Sequence, residues 1–261
     1  MHEEFLLVTL ANRLFGGLVA SLAQPLGFHL DPAHAIPTHI VMSVVVFVII
    51  TALALAVKSK LSVENPGKLQ IILEDVVGFL LGILNEYIGP KGAKYLPLIG
   101  TVGLFIFVAN AMGKIPGLTS PTADINVTLG CAITVWVFYH AMGIREQGIV
   151  AYAKHFAVMP GAPLWIAPLV LIIELISHMS RVLSLSLRLF GNVFGEEMVV
   201  GIIGGIVPFV APLPFMVLGV VTGSLQAFIF VMLTIIYLAA AVHTDHDHDE
   251  HNHEAEAHAS A

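Results

Sequence analysis

The residues best suited to chemistry lie in one of the most apolar parts of the chain. The stretch SLSLRLFGNVFGEE, Ser184–Glu197, carries Arg188, Asn192, Glu196 and Glu197. An arginine at the centre of an apolar helix costs about 2.5–3.5 kcal/mol on insertion scales, so it is kept there only where it pairs, reaches an interface or does a job. At a helical step of about 100° per residue, Glu174, Arg181, Ser184, Gly191, Asn192 and Gly195 all fall within about 60° of Arg188. Small residues let another helix approach closely. Polar ones on the same face need a partner or a water-filled cavity. That face therefore reads as a contact surface for something that itself carries charge. Glu196 lies to one side of it. Glu197 points nearly opposite Arg188, where it would line a separate polar passage.

A second apolar segment supplies a complement. Thr222, Ser224 and Gln226 interrupt GVVTGSLQAFIFVMLTIIYL, and Gln226 is its only amide. Asn110, Asn126 and Thr128 stand near the ends of other apolar segments, where they either line an entry route or cap helices. His140 and His178 read as isolated histidines in packed surroundings. His178, one turn after Glu174, has the stronger claim to a proton path.

These residues need a membrane fold to hold them. The chain has 261 residues, 57% hydrophobic and 11% charged, with a mean hydropathy of +0.90; soluble domains carry about 25% charged residues. The formal charge of -7 comes mostly from the end of the chain. Residues 243–261 hold six acids and no base, leaving 12 acids against 11 bases over residues 1–242. With no basic patch, nucleic acid is not an expected partner. The single Cys131 excludes an internal disulfide framework and reads as a small buried apolar residue. The acidic start, Met-His-Glu-Glu, argues against a cleaved signal peptide.

Spanning a bilayer takes about 20 mostly apolar residues. Ile40–Val57, Tyr95–Met112, Ile125–Gly143, Leu164–Val207 and Pro212–Val242 meet that need, and PFVAPLP at Pro208–Pro214 breaks the last two apart. The last two exceed a bilayer's thickness unless strongly tilted. Pro66–Tyr87 is amphipathic and suits the membrane surface; Phe5–Leu22 is a second, N-terminal helix of that kind. The expected fold is all-α and polytopic, with about five crossings, a surface helix and a long C-terminal helical hairpin. It divides into an external segment (1–38), a membrane domain (39–242) and a disordered tail (243–261). Lys58, Lys60, Lys68, Lys91, Lys94, Arg145 and Lys154 fall on one side against Arg13 and Lys114 on the other. The seven-residue side is expected to be cytoplasmic, with the N-terminus outside and the C-terminus inside.

SLSLRLFGN followed by LQAFIFVMLTIIYL resembles subunit a of the rotary ATP synthases, as do NAMGKIPG (Asn110–Gly117) and PTADINVTL (Pro121–Leu129), in the same order. The resemblance leaves out the first 35 residues and the tail. It implies a stator subunit of F-type ATP synthase in the bacterial plasma membrane, beside a ring of c subunits and b-type peripheral stalk subunits. It implies ATP synthesis driven by proton transport through two half-channels, an essential arginine at Arg188, flanking roles for Asn192 and Gln226, and an outward half-channel carboxylate at Glu197. Some members have glycine where this chain has Glu196 and histidine where it has Gly219, so the polar group has changed helix. An acidic residue of some members is Gly113 here. The expected proton path comprises Glu197, Glu196, Asn192, Gln226, Glu174 and His178. No cofactor, metal or catalytic site of the chain's own is expected, since no nucleotide-binding loop is present.

The tail HTDHDHDEHNHEAEAHASA alternates histidine with acid. It raises a rival reading, a divalent-metal transporter with a cytoplasmic histidine segment. That function calls for histidine–carboxylate pairs at helical spacing within spans, and only Glu174 with His178 qualifies.

Overall fold

The computed structural model describes residues 6–24, 31–115, 118–150, 152, 166–207 and 210–242. The tail at 243–261, Lys154 and part of the Pro208–Pro214 turn lie outside them. Every regular element among the described residues is helical. Two short helices open the chain, α1 (Leu6–Ala11) and α2 (Gly17–Ala23), joined by a wide π-type turn at Asn12–Gly16. There follow α3 (Thr38–Lys58), α4 (Lys68–Ile88), α5 (Leu96–Met112), α6 (Ile125–Gln147), α7 (Ala167–Ile206) and α8 (Pro212–Val242). Five of these segments are long and apolar enough to cross a membrane: α3, α5 with the turn before it, α6, α7 and α8.

The boundaries follow local chemistry. Pro37 is extended, with ψ of 151°, so α3 starts at Thr38. Asp124 caps α6 through its side chain, which accepts from the Asn126 N–H at 2.8 Å. Asn126 thus takes part in the cap, its Nδ2 donating to the same Asp124 oxygen at 2.9 Å. Gly148, at φ 83°, ends α6 in a conformation that side chains disfavour.

Pairings at the helix ends fix the topology. His39 at the start of α3 pairs with Asp124 at 3.0 Å, so α3 and α6 begin at the same end of the bundle, the first end. Lys94, just before α5, pairs with Glu146 at the close of α6, and Gln147 donates to the Ala241 carbonyl of α8 at 3.0 Å. Those residues mark the second end. The α4 helix begins and finishes there: Gln70 donates to Ser62, just after α3, and Ile88 leads into the Pro90–Tyr95 turn. It therefore does not cross, as its amphipathic pattern implies, and packs Phe79 against Phe228 of α8 with ring centroids 6.1 Å apart.

The packed interior lies among α5, α6, α7 and α8. Ile99, Ile106, Val135, Tyr139, Leu185, Leu189, Phe230, Ile235 and Leu238 are almost wholly buried in it. In lipid the gain from such burial is close packing, because hydrocarbon tails already accept apolar side chains. Outward residues such as Phe47, Ile172, Leu187 and Val221 remain exposed. At 1.5 Å per residue, the 40 residues of α7 extend about 60 Å, twice a bilayer core of about 30 Å. Contacts of Arg181 with Tyr237, Asn192 with Thr222 and Glu196 with Gly219 set α7 antiparallel to α8, as expected of the long helical pair.

Candidate functional site: an exposed arginine between two polar clusters

Arg188 sits near the middle of α7, and its side chain is exposed. Its guanidinium has one side-chain hydrogen bond, to Ser184 Oγ at 3.4 Å, and no carboxylate pairs with it among the described residues. The surrounding face is bare. A Cβ added at Gly191 or at Gly195 would meet nothing within 4 Å. Two neighbours hold the register with α8. Asn192 Nδ2 donates to the Thr222 carbonyl at 3.4 Å. One turn back along α7 and one turn on along α8, Arg188 and Gln226 come level. Gln226 is buried, and its Nε2 has no hydrogen-bond partner among the described residues.

Toward the first end, both glutamates reach the segment joining α5 to α6. Glu197 Oε1 accepts from the Ser120 N–H at 3.0 Å. A Cβ at Gly113 would stand 3.1 Å from that same oxygen, so the small residue there leaves the carboxylate its room. Glu196 forms an ion pair with Lys114, and its carboxylate occupies the space beside Gly219, where any Cβ would overlap it. The bare residue at 219 thus makes room for the Glu196 carboxylate. Behind Ser120 runs a buried polar chain. The Ser120 and Thr122 hydroxyls are 2.7 Å apart, Thr122 donates to Asn110 Oδ1 at 2.7 Å, and Asn110 Nδ2 donates to the Gly223 carbonyl at 2.9 Å. That carbonyl is one turn from Gln226. Thr128 is buried against Ser186 at 3.1 Å, a contact that ties α6 to α7.

Toward the second end, Glu174 Oε1 lies 3.2 Å from His178 Nε2, and His178 Nδ1 lies 2.8 Å from the Tyr139 hydroxyl. A carboxylate only accepts, so the Nε2–H tautomer with Tyr139 donating to Nδ1 satisfies all three groups. His140 is not isolated. Its ring centroid is 4.8 Å from that of His178, and its Nδ1 is 2.6 Å from the Tyr152 hydroxyl. Burial pushes the Tyr152 phenol up to about 12. The sequence hid this cluster because its two histidines belong to different helices. Arg181 shares the stripe of Arg188 but turns to α8, with its guanidinium 5.2 Å from the centre of the Tyr237 ring. Glu174, His178, Arg181, Tyr152, Tyr237 and Gln147 line a cavity of about 160 Å³, room for several waters.

Glu197, Glu196 and Asn192 thus gather on one side of Arg188, Glu174 and His178 on the other, with Gln226 level with it. Along α7 the arginine is about 14 Å from Glu197 and about 21 Å from Glu174, at 1.5 Å per residue. No three histidine, cysteine or acidic groups among the described residues are placed to hold a metal ion. The arrangement joins a fixed cation on a bare face to two separate sets of titratable groups.

Comparison with known proteins gives this arrangement its context. The profile of the ATP synthase A chain family matches residues 40–239. An ATP synthase subunit a from Geotalea daltonii is 43% identical over 230 residues, covering 88% of this chain and 96% of its own. Subunit a 1 of Pelobacter propionicus is 48% identical over 177 residues, covering 68% of this chain and 76% of its own. The subunit a of Geobacter sp. strain M21 is 40% identical over 229 residues, with 88% and 96% covered. A match of that extent displaces the metal-transporter reading. With five membrane-crossing helices and this likeness over most of its length, the chain is a multi-pass membrane protein belonging to the ATP synthase A chain family.

Proposed function

We propose that the chain is the membrane stator that couples proton flow to rotation of a neighbouring c-ring, with Arg188 facing the ring and the two polar clusters serving as half-channels. The observation that carries this reading is the exposed, uncompensated guanidinium of Arg188 on a face bare enough to take another helix. A fixed cation favours the ionised form of a carboxylate beside it. A ring carboxylate passing Arg188 therefore gives up its proton into one cluster and is reloaded from the other. Arginine suits the task because it stays protonated when poorly hydrated. Its charge also opposes direct proton passage between the clusters, so flux requires rotation. Glu197, with Glu196 beside it, serves the first end; Glu174 and His178 serve the second; Asn192 and Gln226 lie between. The charge asymmetry of the loops puts the first end outside the cell and the C-terminus in the cytoplasm. Other partners are the b-type stalk subunits and the bilayer.

Disulfide mapping of complete ATP synthase in membranes tests the ring-facing surface. In a Cys131→Ser background, cysteines at 191 and 195 should cross-link to cysteines on the outer face of the ring, whereas cysteines at the buried positions 189 and 193 should not. Cross-linking at 189 and 193 instead would turn the helix the other way and refute the assignment.

A further inference from the structure

Lys114 enters the sequence only as a loop charge. In the structure it pairs with Glu196, and the two side chains are only 12% and 13% exposed. The second oxygen of Glu196 is buried and has no hydrogen-bond partner among the described residues. The carboxylate is closed in on the α8 side by Gly219. Glu197, the next residue, is held differently, by the uncharged Ser120 N–H. Two adjacent carboxylates at one end of a proton path thus have unlike neighbours. The ionisable groups at this place are Lys114 from the α5–α6 segment and Glu196 and Glu197 from α7. The only ionisable side chain of α8, Tyr237, is at the opposite end of that helix.

We propose that Lys114 is a positioning residue for the proton path, holding Glu196 as a fixed counter-ion so that Glu197 is the carboxylate that exchanges protons. The inference rests on the half-channel reading above and divides the labour within it. Removing one member of a buried ion pair leaves an uncompensated charge, whereas replacing both with neutral groups is often tolerated. Either single change therefore leaves a stray charge beside Glu197, and the double change leaves none.

Complete ATP synthase reconstituted in vesicles provides the test, with co-purification checked for every variant. Lys114→Met and Glu196→Gln each lower ATP-driven proton pumping by roughly tenfold, and the double variant recovers to within about threefold of the parent, a coupling within the usual range for contacting pairs. The charge-keeping Lys114→Arg retains at least about half the flux. The pH midpoint of ATP synthesis on the side feeding Glu197 moves upward by about one unit in Lys114→Met and returns in the double variant, which a merely structural lysine would not produce. A double variant as slow as Glu196→Gln overturns the proposal, because Glu196 would then carry protons itself. So does a normal Lys114→Met. Should Lys114→Met fail to assemble, the arginine variant decides, and loss of its flux overturns the proposal. Glu197→Gln in the same preparation keeps the readings apart: normal flux in that variant refutes the half-channel reading and with it the role given to Lys114, whereas lost flux in that variant beside a normal Lys114→Met refutes the role of Lys114 alone.

Discussion

Gly219→Ala tests the close fit between α7 and α8 at the first end. The added Cβ would overlap the Glu196 carboxylate, the end of a flexible side chain and not backbone. The carboxylate must then swing aside and leave Lys114. Overpacking of this kind costs about 1–3 kcal/mol, a factor of about 5 to 150 in an equilibrium constant. The cost belongs to the contact with Glu196 and not to residue 219 itself. In a Glu196→Ala background the same substitution should therefore cost less than about 0.5 kcal/mol, since the collision is gone. The assay is heat-induced release of the subunit from detergent-solubilised ATP synthase. Gly219→Ala should lower the release midpoint in the parent and leave it unmoved in the Glu196→Ala background. Equal shifts in both backgrounds would refute the reasoning, since the clash would then be with something other than Glu196.

Two further outcomes follow from the same arrangement. Glu197→Gln keeps the shape and an acceptor for the Ser120 N–H but cannot exchange a proton, so assembly should persist while proton flux falls at least about a hundredfold, the low end of the range ascribed to proton-transfer groups; flux measured in vesicles with intact co-purification decides. Deleting residues 243–261 should leave coupled pumping unaltered, because no residue of the proposed proton path lies among them; a large loss would show that the tail takes part.

The spans were legible from hydropathy because a bilayer demands long apolar runs, and each of the five observed spans falls within a few residues of the expected limits, whereas the single N-terminal helix expected over Phe5–Leu22 is interrupted by the π-type turn at Asn12–Gly16. The α4 helix was legible as non-spanning from its charges. The faces of α7 were legible too, since a helix fixes the angle between side chains. Contacts between helices were not. Lys114 counted only as a loop charge, because its pairing with Glu196 depends on where the residues after α5 come to lie against α7. His140 looked isolated because His178 is brought beside it only when α6 packs on α7. Arg181 shares a helical stripe with Arg188, yet Tyr237 of α8 draws it inward. Periodicity gives a direction from one helix axis and says nothing of the neighbour that will stand there.

ATP-driven proton pumping by complete ATP synthase carrying Arg188→Ala tests the central claim most directly. With assembly verified, the account predicts that coupled pumping is abolished, because no fixed charge is left to discharge the passing ring carboxylates or to bar direct passage between the clusters. Robust coupled pumping by that variant would contradict it.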